Sequence, residues 1–366
     1  MKNKILMIVG GSLLAGCATQ NTAVDNTPVN PTVVLTANTA ISGYVLPDST
    51  GTQAVYTRSN VRRIDNVWNR QNWVSRKVLG NVNETQIGFT EKNLSWHFNN
   101  PQKTYVECPL FGCGANLWQQ ISDSEAEEEE ESFSPNTPDT CPLTTKTTFD
   151  VVDKKVARQI NGFNANQYQL TWKVTNTDEK GRKDEHNIVM DFWMTAPDEG
   201  MKEAWKINNE FQNGYLKAVG ANDSALGRFL GEQVYRPLAA ISGDIEKNDS
   251  MKLLNGKLAA LKGYPISIKL DWYLATGNTC PEELAKRNAS TEENDQLDMA
   301  DPVGSLGSLA GGFLKNKAKA AVAKKFERDP SKPLMRFVYD VTSVGLEQKH
   351  DSVFMVPTGY KLTNRQ

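Results

Sequence analysis

Apolar and polar positions alternate along several stretches of this chain. Tyr168, Leu170, Trp172 and Val174 fall on one side of a period of two, with Gln167, Gln169, Thr171 and Lys173 on the other. Ile266, Ile268, Leu270, Trp272 and Leu274 repeat the pattern against Ser267, Lys269 and Asp271. Shorter versions occur at Leu94, Trp96 and Phe98 and at Phe337, Tyr339 and Val341. Successive side chains of a strand point to opposite faces, so each stretch predicts a half-buried strand. Ile188 to Met194 is almost continuously apolar, which predicts a strand covered on both faces. Further strands are expected at 61–68, 72–79, 85–90, 103–107, 149–160 and 352–356.

Helical spacing is rarer. Ala204, Ile207, Phe211, Tyr215 and Val219 recur at helical intervals between Gly200 and Val219. Ser224 is placed to cap a second helix carrying Leu226, Phe229, Leu230 and Val234, with Pro237 near its end. A third is expected from Ser250 to Leu261, stopped by Gly263. The helices fall between groups of strands instead of alternating with single strands. The expected class is therefore α+β, built on a large antiparallel sheet.

The N-terminus has a different character. Lys2 and Lys4 precede an apolar run from Ile5 to Leu14, the layout of an export signal and too short for a permanent span. The following Leu14-Ala15-Gly16-Cys17 resembles the lipobox of bacterial lipoproteins. That resemblance implies a signal peptide over 1–16 and fatty acylation (palmitate or its like) of Cys17. Two or three acyl chains, at about 0.8 kcal/mol per buried methylene, anchor a protein stably. Ala18 and Thr19 lack the Asp that retains such lipoproteins at the inner membrane, so the outer membrane is the expected location, on its periplasmic side. Residues 17–40 are rich in Thr, Asn, Val and Pro and read as a flexible tether reaching roughly 25–30 Å, with a single domain over 41–366.

Charge and cysteines narrow the picture further. The net charge of −2 gives no basic field of the kind that drives nucleic-acid binding. Apart from Cys17, four cysteines remain, Cys108, Cys113, Cys141 and Cys280, and an even number in an exported chain implies disulfides. Pro109 and Gly112 favour a turn, so Cys108–Cys113 with Cys141–Cys280 is the preferred pairing. A four-cysteine zinc site is the alternative that the first spacing permits. Two insertions interrupt the domain. Residues 122–140 hold the run Glu127 to Glu131 and then Pro135 and Pro138, which reads as a solvated acidic loop or as an arm for a cation or basic partner. Residues 300–330 pass from Gly304, Gly307, Gly311 and Gly312 into Lys- and Ala-rich sequence. This admits a mobile insertion, a helix lying on an anionic membrane, or a lid over an apolar groove.

No signature of catalysis emerges. The three histidines, His97, His186 and His350, show no metal-ligand spacing, and His186 sits in a charged stretch that reads as a turn. G-x-S-x-G, G-x-x-x-x-G-K-[ST] and G-x-G-x-x-G are all absent. A serine–His350–Asp grouping could be assembled only from distant parts of the chain. The expectation is a protein that is not an enzyme and needs no cofactor or metal.

Several segments resemble poorly characterised envelope proteins similar in fold to the periplasmic lipoprotein carrier LolA. They are Phe89 to Cys108 with its Asn99-Asn100-Pro101-Gln102-Lys103-Thr104-Tyr105 turn, Val156 to Phe163 followed by Tyr168 to Val174, and Gly263-Tyr264-Pro265-Ile266. The ending Val353 to Tyr360 completes the set. The resemblance implies an incomplete antiparallel barrel with helices packed on its concave side, and an apolar concavity able to hold lipid or acyl chains. Trp172, Met190, Phe192, Ile268, Leu270, Trp272 and Phe337 are the candidates for lining it, although alternating aromatics equally describe a core. An anchored chain cannot shuttle across the periplasm, so the carrier's own role does not transfer. Two functions remain: binding of an apolar ligand in the half-barrel, or a structural or protein-interaction module of the outer membrane envelope.

Overall fold

The computed structural model describes residues 25–43, 48–73, 76–77, 80–110, 143–196, 198–219, 256–258, 261, 263–277, 279–280 and 331–365. The expected signal peptide, Cys17, the first part of the expected tether, the helix expected after Ser224 and both expected insertions, 122–140 and 300–330, lie outside these residues.

Twelve strands form one open sheet in the order β12-β6-β5-β4-β3-β2-β1-β11-β10-β9-β8-β7. They are β1 (Val29–Gly43), β2 (Ser49–Thr57), β3 (Val61–Arg70), β4 (Val82–Phe89), β5 (Leu94–Asn99), β6 (Thr104–Pro109), β7 (Leu143–Ile160), β8 (Phe163–Asp178), β9 (Lys183–Thr195), β10 (Tyr264–Thr276), β11 (Met335–His350) and β12 (Lys361–Arg365). Every neighbouring pair is antiparallel except β12 with β6. β1 and β11 join two meanders, β1 to β6 on one side and β7 to β11 on the other, across a long register from Val29↔His350 to Gly43↔Met335.

The α+β expectation is corrected by this architecture. One long helix, α1 (Glu199–Ala218), is present among the described residues, and the fold is dominated by its sheet. Asp198 caps α1 by accepting from the Met201 amide at 2.9 Å. The helix lies over β11, β1 and β2. It does not belong to a helical layer filling a concave side. Of the third expected helix, residues 256–258 are described and are helical.

Register divides the sheet into two faces. Rows such as Phe149–Trp172–Ile188–Trp272–Met335 and Val151–Leu170–Met190–Leu270–Phe337–Ile41 share what we call the front face. Along β7 to β11 this face forms the main core, with Leu170, Met190, Phe192, Ile268 and Trp272 buried together and Leu258 and Leu261 packed against it. Along β4 to β6 the aromatics occupy the back face instead. Ile87 and Phe98 are buried there with Trp96 and Tyr105 beside them, covered by Phe354 and Tyr360 from the C-terminal segment. Phe98 stacks on Tyr105 at 5.3 Å and meets Tyr360 edge-on at 5.6 Å.

Three local expectations change. Residues 29–40, read as the distal part of a tether, form most of β1 near the middle of the sheet. Of the strand expected at 72–79, the described residues 72, 73, 76 and 77 are not in a strand: the amides of Arg76 and Gly80 donate to the carbonyls of Asn72 and Arg76, in the helical pattern. Residues 352–356 begin in a 3-10 turn, Asp351–Phe354, because Phe354 must turn inward to fill the back-face cluster.

Candidate functional site

The seven candidate lining residues do come together. Trp172 on β8, Met190 and Phe192 on β9, Ile268, Leu270 and Trp272 on β10 and Phe337 on β11 occupy the front face of four adjacent strands. Six of them are no more than 3% exposed and Phe337 is half-buried against the same cluster. Side chains with this degree of burial are packed on one another, as a core is.

The polar groups of this region are informative. Trp272 donates its indole N–H to His186 Nδ1 at 3.2 Å and stacks on the same ring at 5.7 Å. His186 is thus a buried member of β9, corrected from its expected place in a charged turn. Among the described residues the N–H of Trp172 has no acceptor, nor does that of Trp205, which stacks on Tyr264 at 3.9 Å. A buried donor left unpaired costs about 1–3 kcal/mol.

His350 gathers a second polar group where the N-terminal arm meets the end of β11. Its Nδ1–H donates to the Thr27 carbonyl at 2.8 Å and stands 3.7 Å from Asp25 Oδ1. Ser352 donates its hydroxyl to Asp25 Oδ2. Serine, histidine and aspartate therefore meet, but in an order unsuited to nucleophilic catalysis: the serine proton goes to the carboxylate and not to imidazole. That carboxylate is a weak base, because hydrogen bonds from Ser352 and Thr27 lower its pKa from 3.8 to about 2. Beside it, Arg58 pairs with Asp351 at 2.5 Å and donates to Thr32 and to the Lys349 carbonyl. This arrangement pins the arm. His97 faces Ser95 at 3.1 Å on the front face of β5, away from the aromatic cluster, as alternation predicts.

Cys108 and Cys280 are both disulfide-bonded, which removes them from the alternative four-cysteine zinc site; Cys113 and Cys141, and with them the pairing, lie outside the described residues. The end of β8 is tied down by Asp178, which accepts from the amides of Lys180, Arg182 and Cys280 and from Arg182 Nε at 2.6 Å. Burial opposes its ionisation, yet Arg182 and these amides hold its pKa below the usual carboxylate range.

Two surfaces remain open. A shallow hollow of about 410 Å³ lies over β11, β1, β2 and β3, lined by groups such as Asn38, Thr50, Thr52 and Asp340. Its mostly small side chains, with Ala40 and Val338 among them, offer no convergent charge. The second is β7, an 18-residue edge strand that pairs only with β8 among the described residues. Val152 and Val156 on it are 43% and 46% exposed. A bulge between Asp153 and Ala157, with Lys155 at φ 55°, interrupts the strand beside three charges, Asp153, Lys154 and Lys155. Sequence alternation located β7 but could not reveal that it lies at an edge, because edge position depends on the order of pairing.

No family model matches the chain, and no curated protein matches it.

Proposed function

We propose that this chain is a periplasm-facing lipoprotein of the outer membrane, held by Cys17, that serves as a protein-interaction module of the envelope without catalytic activity. The observation that carries this reading is the outer edge of β7, unpaired among the described residues, with Val152 and Val156 exposed on the same strand. A free edge offers a row of backbone donors and acceptors to an extended segment of another protein, and exposed valines add apolar contact. The bulge and charges at 153–155 block pairing over one part of the strand, so the partner strand is expected along residues 144–153. The acidic run Glu127 to Glu131 precedes β7 in sequence and favours a partner with basic residues.

The test is site-specific photo-crosslinking in intact envelopes, with the probe at Val152 and, as control, at exposed Met355. A discrete adduct from Val152, lost when Val156 is left intact but lysine is placed at Thr148 and Asp150, supports strand addition. Equal labelling from both positions, or none, rejects it.

Binding of an apolar ligand is the second reading, and one observation favours it: the unpaired N–H of Trp172 inside the apolar front face. An acyl ester or carboxylate would supply the missing acceptor. Trp172→Phe distinguishes the two readings. In a module with a filled core it leaves stability unchanged or raises it, whereas in a ligand binder it removes lipid seen in native mass spectra of the wild-type chain.

A further inference from the structure

The connection between β3 and β4 carries the most exposed of the large apolar side chains, Trp73, at 66%. Lys77 Nζ lies 5.4 Å from the centre of its ring, and Arg76 is exposed on the same helical turn. Arg76 also donates to the carbonyls of Arg70 and Gln71, which braces the turn against the end of β3. The base of the connection is fastened again where the Gln71 amide donates to the Asp48 carbonyl. A rigidly mounted indole with ammonium and guanidinium groups alongside is costly to leave in water without a purpose. It matches the boundary layer of a bilayer, where indole sits at headgroup depth and basic side chains reach phosphates.

Position sharpens the point. β1 begins at the pinned N-terminal arm and ends beside this connection, since Ser49 pairs with both Ile41 and Arg70. Fifteen residues of strand therefore separate the arm from the tip, up to about 50 Å. The tip therefore lies at the opposite end of β1 from the described arm at residues 25–28.

We propose that the Trp73 tip is an interfacial contact for an anionic lipid surface other than the one carrying the N-terminal anchor. Trp73 enters the headgroup layer, and Arg76 and Lys77 bind lipid phosphates. This proposal rests on the reading that Cys17 anchors the chain, but not on β7 or on any partner protein.

The experiment uses the full chain carrying C17S, so that no acyl group contributes, and vesicles of phosphatidylethanolamine with phosphatidylglycerol. Sedimentation is expected to show salt-sensitive binding. R76Q and K77Q should each weaken it about fivefold, the effect of about 1 kcal/mol per basic residue near an anionic surface. W73D should abolish it while leaving the melting temperature unchanged, as expected for so exposed a site. Brominated lipid should quench tryptophan emission in wild type but not in W73F. Binding that survives W73D, equal binding to phosphatidylcholine vesicles, or no binding at all would overturn the proposal.

Discussion

The two halves of the sheet carry their main apolar clusters on opposite faces. From β7 to β11 the cluster lies on the front, whereas the back face carries an ordered polar network: Arg336 and Lys269 flank Asp271, Gln167 and Gln169 donate to Asp191, and Ser267 donates to Asp340. From β4 to β6 the aromatics lie on the back, and the front face of β3 is held to α1 through Arg62. That guanidinium donates to Asn208 and Gln212 and sits 4.1 Å over the ring of Phe211. The physical reason is twist. Neighbouring strands rotate by about 20–25°, so strands several positions apart run in very different directions and no single layer can cover both ends of a twelve-stranded sheet. Each half needs its own cover, and the switch falls at β1 and β2, whose fully buried apolar side chains are only Val33, Ala37 and Val55.

The largest effect should come from the front-face core. Phe192→Ala removes a fully buried ring from the centre of that cluster and should cost about 3–5 kcal/mol, read as a shift in the denaturant midpoint. If the halves are independent packing units, amide exchange should accelerate across β8 to β10 first. Equal acceleration in β4 to β6 would show that the comparison is false and the sheet opens as one.

Phe354→Ala is the counterpart on the back. The ring is 5% exposed, and Arg58 lies 4.7 Å over its face, but it comes from a short C-terminal turn that can relax. A loss of about 3 kcal/mol is expected, at the lower end for a buried phenylalanine. Its exchange signature should be reversed, with β4 to β6 losing protection and β8 to β10 retaining it.

How much of this was legible in the sequence depends on which rule each residue obeys. β8, β9 and β10 are long, and their alternation at Tyr168 to Val174 and Ile266 to Leu274 placed the front-face core residue by residue. β1 was hidden although Val33, Leu35, Ala37 and Ile41 alternate with Thr36, Asn38 and Ser42, because its Thr and Asn content and single Pro resemble a linker. The apolar run Val353 to Val356 looked like a strand. Only the need to cap an aromatic cluster on distant strands shows why it turns. Alternation also says that a strand has two faces without saying which is shared with its neighbours, so the reversal between halves could not be read. Nor could the crowding at Gly51, where any Cβ would lie 2.5 Å from the Val67 carbonyl and 3.0 Å from Trp68.

A smaller effect separates the polar ties of the two halves. Burial works against ionisation of Asp178, yet the Arg182 guanidinium and the amides of Arg182 and Cys280 lower its pKa below the ordinary 3.8. A carboxylate with a depressed folded-state pKa stabilises the fold above its unfolded value, and that contribution disappears as pH falls through the folded one. Acid below about pH 4 should therefore loosen the β8–β9 turn and its link to Cys280. Asp178→Asn should remove the acid sensitivity there while leaving β2 to β6 untouched, which amide exchange measured across pH 2–5 would show.

The smallest effect concerns the pin at the strand that joins the halves. Asp25 accepts from the hydroxyl of Ser352, from the Thr27 hydroxyl at 2.7 Å and from the Thr27 amide at 3.0 Å, and these bonds set its pKa at about 2. The same sign applies: the pin is complete above the unfolded value of 3.8 and fails as pH falls through about 2. Because Asp25 is well exposed to solvent, Asp25→Ala should barely move the melting temperature. It should instead free residues 25–30 and speed exchange of the Asp351 amide, which donates to the Pro28 carbonyl. If β1 is held by its two neighbouring strands alone, the variant will show no change in proteolysis of the arm, and the pin then has no part in fixing how the sheet stands relative to its N-terminal attachment.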